Sequence, residues 1–440
     1  MTTEKPYAIS EVATNEWKEF ALYTVQSRAI PNMIDSFKDV QRFYLYSSLV
    51  NSKTEFDKVD SVGGQVTKFG YHHGAKSAMA AGQRMAAEWS NNLCVIEGQG
   101  SFGSRLIQVA ASERYTMTRV HPNFSKYFKD LDLSPVHPDP EHIPPAYYIP
   151  VIPILLANGT SGIATGFATI ILPRAVRDVL RACQEYIRTG SIKNKLPISF
   201  PHFSGTVTYD KEKDRYLCRG VFAEPSKTVL HISEVPYGFD REGYIKVLDK
   251  LEERGDIVGY EDLCDKSGFK FDVKLKQNVS ANWNNEKIIK EFKLEKIFHE
   301  NITVIDENGK LKEYDDERDL IKDFCDFRLT ILQKRINQQC TLLKESIRWL
   351  KIKSDFIQAV LDDKITFKNK TKAQVHDQIM KCVKNTLDDD VDSLLKMNIM
   401  SLTKEMVDKL KADVKSESEN LKYWETATPS QEFENDLKNI

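Results

Sequence analysis

The stretch "VAASERYTMTRVHP" (residues 109–122) sets Tyr115 directly after Arg114. A phenol can act as a nucleophile, forming a covalent intermediate that divides one hard step into two easier ones. With a pKa near ~10 it is a weak nucleophile unless a cation or base assists. Arg114 is such a cation: it stays charged, and its planar fork suits phosphate oxygens. Most tyrosines are nevertheless packed with the hydroxyl hydrogen-bonded, so the local sequence leaves a buried ring and a nucleophile both open.

Two other segments carry groups of related chemistry. "RAIPNMIDSFKDVQRFYLYSSLV" (28–50) holds Arg28, Lys38 and Arg42 around an apolar helical pattern, and "YHHGAKSAMAAGQRMA" (71–86) opens with His72, His73 and a glycine before a helix. Each has a plain explanation, because surface helices carry Lys and Arg, and a histidine pair can cap a turn. Taken together with helix N-termini, they supply cationic and neutral donors able to surround a phosphodiester. The formal net charge of −2 does not announce a nucleic-acid binder. A basic groove near Arg28, Lys38, Arg42 and Arg114 therefore has to be local, with the C-terminal part acidic.

The elements that must position these groups fall into three stretches. At 440 residues, 41% hydrophobic and 29% charged, the chain is long enough for two to four globular units. The first stretch, to about residue 140, mixes short helical patterns with the glycine-rich "IEGQGSFGS" (96–104), which reads as turn or loop. A proline-rich connector, "SPVHPDPEHIPPAYYIP", leads into residues 150–305, where strand-like runs such as "GTVTYD" and "TVLHISEVP" alternate with helical ones such as "REGYIKVLDKLEERGD". Between Leu320 and Leu361 glycine and proline are absent, and Leu329, Leu332, Ile336, Cys340, Leu343, Ile347 and Leu350 recur at spacings of three and four. This is one long helix with an apolar seam.

A second seam, Val407, Leu410, Val414, Leu421 and Trp424, follows Thr403 as N-cap. The pair predicts an antiparallel coiled-coil arm with a helical cap, although periodicity alone also fits an ordinary bundle. The acidic "ESENLKYWETATPSQEFENDL" reads as a solvated helix or loose end. Seven scattered cysteines, no apolar leader and an apolar run broken by Pro150, Pro153, Asn158 and Gly159 predict a soluble protein of a reducing, cytoplasmic compartment.

In order and spacing, "SRAIPNMIDSFKDVQR", "YHHGAKS", "EGQGSFGS", "AASERYT" and "IPILLANGTSGIATGFAT" resemble the DNA breakage-reunion subunits of type IIA DNA topoisomerases, the gyrase A type. "FSGTV", "LHISEVP" and "DLIKDFCDFRLTILQKR" extend the resemblance from about residue 20 to 425. The short length most resembles the family's T-even bacteriophage members, which lack the gyrase-type wrapping domain. The implied fold is α+β and multidomain. A winged-helix DNA-cleavage domain would occupy residues 1–140, an α/β tower domain 141–312, and a coiled-coil arm with a helical C-gate 313–440.

The resemblance implies that Tyr115 is the active-site nucleophile and Arg114 its neighbouring cation. Arg28, Lys38, Arg42, His72 and His73 match positions at the DNA backbone, and Ile163 matches an isoleucine wedged between base steps to bend the duplex. Ser77 lies where cleavage-poison resistance positions cluster. Ser36 and Asp39 depart from the family's "DGxKP", Ala75 and Lys76 replace an acidic residue after "HG", and "TIILP" lacks a double proline; these put loop shape in question more than chemistry.

The implied reaction is a transesterification that leaves a 5′-phosphotyrosyl link. The chain carries no P-loop and none of the "EGDSA" or "DxDxDG" carboxylates of the family's metal-binding Toprim domain. Metal ligands are therefore expected on none of its residues. Mg²⁺ and ATP would be held by a separate ATPase/Toprim subunit, while a homodimer of this chain cuts both strands of double-stranded DNA. Two rivals are a non-enzymatic DNA-bending protein and a purely structural coiled-coil dimer.

Overall fold

The computed structural model describes residue 14 and residues 16–440, apart from 227 and 399–401. The first thirteen residues of the expected N-terminal domain thus lie outside the described residues. The chain forms two compact units, one running through Phe327 and joined by Asp436–Ile440, the other Arg328–Asn435. The first unit contains both of the stretches separated above at residue 140, and its boundary with the second falls inside a helix.

Near its start the first unit is helical: α1 (Glu16–Tyr23) continues into a π-helical turn, Thr24–Ala29, and is followed by α2 (Asp39–Asn51), α3 (Val59–Gly64) and α4 (Ala75–Met85). These helices pack with a three-stranded antiparallel sheet, order β1-β3-β2, made of β1 (Asp57–Lys58), β2 (Ile96–Gln99) and β3 (Met117–Val120). The start of "IEGQGSFGS" is therefore a strand, against expectation. Glycine at 98 is tolerated in it because the Phe102 ring folds back onto that position: a Cβ there would lie 2.5 Å from the ring. Gly82 does the same for α4, whose backbone meets the buried Tyr44 ring, and Tyr44 bonds Thr118 of β3 at 2.6 Å. Helix and strand that flank residue 115 are in this way locked to one another.

Next comes a hairpin, β4 (Thr160–Ile163) and β5 (Ala168–Ile171), and then α5 (Val176–Thr189). Two sheets follow, and the strands and helices alternate as the patterns do; every strand pair in them is antiparallel, so this part is α+β and not the α/β domain expected. One is β12-β7-β6, from β6 (Thr206–Asp210), β7 (Arg215–Arg219) and β12 (Glu295–Phe298); the other is β10-β11-β9-β8, from β8 (Val221–Ser226), β9 (Val229–Glu234), β10 (Ile257–Asp262) and β11 (Phe271–Leu275). Helices α6 (Arg241–Glu253) and α7 (Asn285–Glu291) bury Tyr244, Val247, Leu248 and Ile288 with Leu230, Ile232, Phe271 and Val273 of the larger sheet. Each such side chain contributes about 1.5–3 kcal/mol on burial. A two-stranded ladder, β13 (Ile302–Ile305) with β14 (Leu311–Tyr314), closes this part.

Helix α8 (Glu317–Leu361) is the single long helix read from the sequence, and every residue of its seam is buried or half-buried. In the second unit it meets α9 (Lys372–Cys382), α10 (Asp388–Leu395) and α11 (Lys404–Thr426) around Ile352, Phe356, Ile357, Val375, Ile379, Val391, Leu394, Val407 and Leu410. Thr403 caps α11 by accepting from the Met406 N–H. Lys344 pairs with Glu425 while Ile352 and Phe356 share a core with Val407 and Leu410, so α8 and α11 run antiparallel. The acidic C-terminal stretch is not loose. Its last helix, α12 (Pro429–Lys438), buries Phe433 and Leu437, one turn apart, and Asp436 accepts from Lys129 Nζ at 2.8 Å. Among the described residues no helix is long and apolar enough to cross a membrane.

Candidate nucleic-acid interface and nucleophile

Tyr115 is not a packed aromatic. It stands on a turn just before β3 with 75% of its surface exposed, and the Arg114 guanidinium lies 5.9 Å from its ring. Its position comes from the backbone on either side. Tyr115 N–H donates to Ser112 O, and Val59 N–H at the start of α3 donates to Thr116 O. Gln83 of α4 donates to Ala111 O at 2.8 Å and to Thr116 Oγ1 at 3.2 Å. Nothing in the sequence distinguishes Gln83 from a solvated helical residue, so its role emerges only from the fold.

Arg28 ends the π-helical turn and is exposed. Its Nη2 lies 2.8 Å from Nδ1 and 2.7 Å from Nε2 of His73, its guanidinium lies 5.4 Å from the Tyr23 ring, and Tyr23 Oη lies 2.7 Å from His73 Nε2. Burial, then the Arg28 cation and His72, hold His73 below the usual imidazole range, so near neutrality it is an uncharged donor–acceptor. His72 is exposed and pairs with Glu141 at 3.1 Å. Ser77 is exposed in the first turn of α4, where its hydroxyl donates to Gly74 O at 2.7 Å and lies 2.9 Å from Tyr71 Oη. Together Tyr23, Arg28, Asp39, His72, His73 and Ser77 line an open cavity of about 480 Å³. Its walls offer cations and neutral donors, the mixture that grips a phosphodiester backbone.

Lys38 reaches the next feature. Its Nζ donates to Ser161 O in β4 at 3.1 Å, and burial followed by the nearby Arg84 lowers its pKa. Arg84 is a further exposed cation whose spacing in the sequence is that of any surface helix. Past Ser161 the hairpin closes through Ala164 N–H to Phe167 O, with Gly166 at φ +81°, and presents Ile163 at its tip with 87% of its surface exposed. An apolar side chain so unprotected at a hairpin tip has no packing role within this chain. Gly162 beside it permits a close approach: a Cβ there would stand 1.9 Å from Ala29 O, so the hairpin rests on the turn that carries Arg28.

Arg42 departs from expectation. Its side chain is 8% exposed; Nε donates to Asp35 Oδ2 at 2.8 Å, Nη1 to Asp39 Oδ1 at 2.7 Å and Nη2 to Phe37 O at 2.7 Å. Asp35 is fully buried and also accepts from the Phe37 and Tyr148 N–H groups. Arg42 is thus the counter-ion of a buried carboxylate that shapes the 32–38 loop, and its donors face protein. That loop places Ser36 at φ +66°, a left-handed conformation suited to glycine, and Asp39 at the first position of α2, where proline is favoured. Glycine at 36 and proline at 39 would each suit the backbone found there, and this chain adopts it with serine and aspartate. Among the described residues no group of three or more His, Cys, Asp or Glu side chains converges in a way that would hold a metal ion.

Comparison with known proteins gives the family of the chain. Residues 28–439 match the family model of the A subunit of DNA gyrase/topoisomerase IV. The chain is 42% identical to the DNA topoisomerase medium subunit of Enterobacteria phage T4, over 98% of each chain. It is 29% identical to the mitochondrial DNA topoisomerase 2 of Dictyostelium discoideum, covering 78% of this chain but 28% of that longer protein. A crystal structure of the Plasmodium falciparum topoisomerase II DNA-binding, cleavage and re-ligation domain superposes with a TM-score of 0.88 at 26% identity, covering 99% of this chain and 64% of that one. The chain, with its exposed tyrosine and its cation-lined cavity, belongs to the DNA gyrase/topoisomerase IV A-subunit family.

Proposed function

We propose that this chain is the cleavage and religation subunit of an ATP-dependent type IIA DNA topoisomerase, with Tyr115 as nucleophile. The observation that carries the reading is a tyrosine held on a turn by backbone contacts, its ring three-quarters exposed and a guanidinium beside it. Tyr115 Oη attacks a backbone phosphorus, a new P–O(Tyr) bond forms, and the P–O3′ bond breaks. The phenolic proton is lost and the departing 3′ oxygen leaves protonated as a hydroxyl. The 5′-phosphotyrosyl ester keeps the bond energy, so attack by the 3′ hydroxyl reseals the strand and restores the phenol. Arg114 opposes the charge that gathers on the phosphate oxygens. Arg28, Lys38, His72 and His73 hold the backbone, and Ile163 enters between base steps to bend the duplex. Ser77, at the rim of the cavity, is where a cleavage-stabilising drug would touch the chain.

In this reading the α1–α4 and β1–β3 region is the winged helix expected within residues 1–140, of which 14 and 16–140 are described, and 141–312 is the tower. Residues 313–440 form a coiled-coil arm whose helical cap is a second dimer gate. Two copies of Tyr115 in a homodimer cut the two strands, and a second duplex passes through. The carboxylates of the described residues do not gather into a metal site, and no step above is routed through one. Mg²⁺ and ATP belong to an ATPase/Toprim partner, and the complex works in the cytoplasm, of the host if the chain is viral. Passage of the second duplex relaxes or decatenates the DNA.

The test combines the chain with its ATPase/Toprim partner, Mg²⁺ and supercoiled DNA, then adds detergent. Protein should be trapped on cut 5′ ends, and Tyr115→Phe should trap none. Binding and bending by an uncleaved complex in both proteins establishes instead the architectural alternative, which the exposed Ile163 also serves.

A further inference from the structure

Arg105 lies ten residues before Tyr115 on the glycine-rich loop, yet its side chain is only 7% exposed. Its Nη1 donates to His202 O at 3.0 Å, and its Nη2 to Glu234 Oε1 at 3.1 Å and Val235 O at 3.4 Å. The guanidinium lies 5.4, 5.0 and 5.3 Å from the ring centroids of Phe203, Tyr237 and Phe269. A planar cation enclosed by three rings and a carboxylate has one available orientation. The cage is itself braced, since Phe200 stacks on Tyr237 at 4.1 Å and the second oxygen of Glu234 accepts from Ser204 N–H and Oγ. His202 sits at φ +51°, a region that residues with side chains rarely occupy, and its carbonyl is the one that receives Arg105.

The loop is fixed at its middle and at its flanks by different parts of the fold. Arg241 N–H donates to Leu106 O and Gln108 donates to Phe239 O, so residues 105–108 belong to the β-rich part. Ala111 N–H donates to Ser101 O, Trp89 donates to Phe102 O and Gln83 donates to Ala111 O, so the flanking residues belong to the helical part that carries Tyr115. The Tyr115 ring is exposed and its turn is held through the backbone, so the aim of the phenol is inherited from this loop.

Resting on the cleavage function proposed above, we infer that Arg105 is a positioning residue: caged in the β-rich part, it sets the aim of the Tyr115 turn without touching DNA. Misplacing a nucleophile by about 1 Å costs on the order of 100-fold in rate while leaving binding intact. The test uses the complete enzyme, this chain with its ATPase/Toprim partner, and compares wild type, Arg105→Lys, Arg105→Ala and Tyr115→Phe. Lysine keeps a cation beside Glu234 but loses the fork, so it guards against simple misfolding. The expected result is that Arg105→Lys keeps wild-type DNA affinity and melting temperature but forms the covalent adduct about 10- to 100-fold more slowly in a single turnover. Arg105→Ala should be slower again. Wild-type adduct rate in Arg105→Lys, or a loss of rate that only follows a loss of DNA affinity, overturns the inference. An adduct that persists in Tyr115→Phe overturns the function itself, and this inference with it.

Discussion

Arg28 and Arg42 stand fourteen positions apart in one continuous motif, and the fold treats them oppositely. Arg28 is exposed, faces an open cavity and has neutral partners in His73 and Tyr23. Arg42 is enclosed and satisfied by Asp35, Asp39 and a carbonyl. The difference is set by carboxylates, not by the arginines. A guanidinium whose neighbours are neutral keeps its charge for a ligand, whereas one bracketed by two aspartates has already used it. The same contrast separates Ile163, exposed at a tip, from the many isoleucines that fill the core.

The contrast can be broken most forcefully at Arg42. Arg42→Ala leaves Asp35 charged and buried, and should lower the unfolding free energy by about 3–5 kcal/mol in a denaturant titration. Arg28→Ala should leave that titration unchanged within ~0.5 kcal/mol. It should instead weaken DNA binding and reduce the slope of log K against log salt by about 1. Equal stability losses in the two variants remove the distinction. Next in size, Ile163→Ala should keep folding stability within ~0.5 kcal/mol while reducing the bend of a bound duplex, read by fluorescence transfer between its ends. An unchanged bend means that the tip does not enter the stack.

A smaller effect sits at His73. Its folded pKa lies below that of an unfolded histidine, so the unfolded chain binds the proton first and acidification costs the free protein stability as pH falls through the folded value. Phosphate at this site acts in the other direction by favouring the imidazolium. DNA affinity should therefore rise as pH drops from about 7 to about 6, and His73→Gln should flatten the profile. Smallest of all, Ser36→Gly should stabilise by about 0.5 kcal/mol, the relief of a left-handed serine partly offset by a more flexible unfolded chain. Loss of stability there means that Ser36 contributes a contact beyond its backbone.

The seams of α8 and α11 are legible because a period of three to four survives over many turns and needs no tertiary information. Tyr115 is legible only in company with ordered motifs, since nothing in "SERYT" separates exposed from buried. Three things are out of reach. The burial of Arg42 depends on Asp35, seven positions away across a turn, and Asp35 resembles any loop aspartate. The strand at 96–99 hides behind glycines, one of which admits the Phe102 ring. The docking of α12 depends on Lys129, some three hundred residues upstream, and acidic composition conceals the apolar pair Phe433 and Leu437. Local periodicity is written in neighbouring residues, whereas buried charge pairing is written only in three dimensions.

The missing side chain at Gly162 has a mechanical consequence. With Gly162 seated on the Ala29 carbonyl and Lys38 bonded to Ser161, the hairpin and the turn bearing Arg28 form one rigid jaw. Under the proposed function, a duplex held by Arg28 would meet Ile163 at a fixed offset, so the depth of the wedge would be gauged by the protein's own backbone. A methyl group at residue 162 would reset that gauge, lifting the hairpin off the Ala29 carbonyl while leaving the side chains of Arg28, Lys38 and Ile163 themselves unchanged.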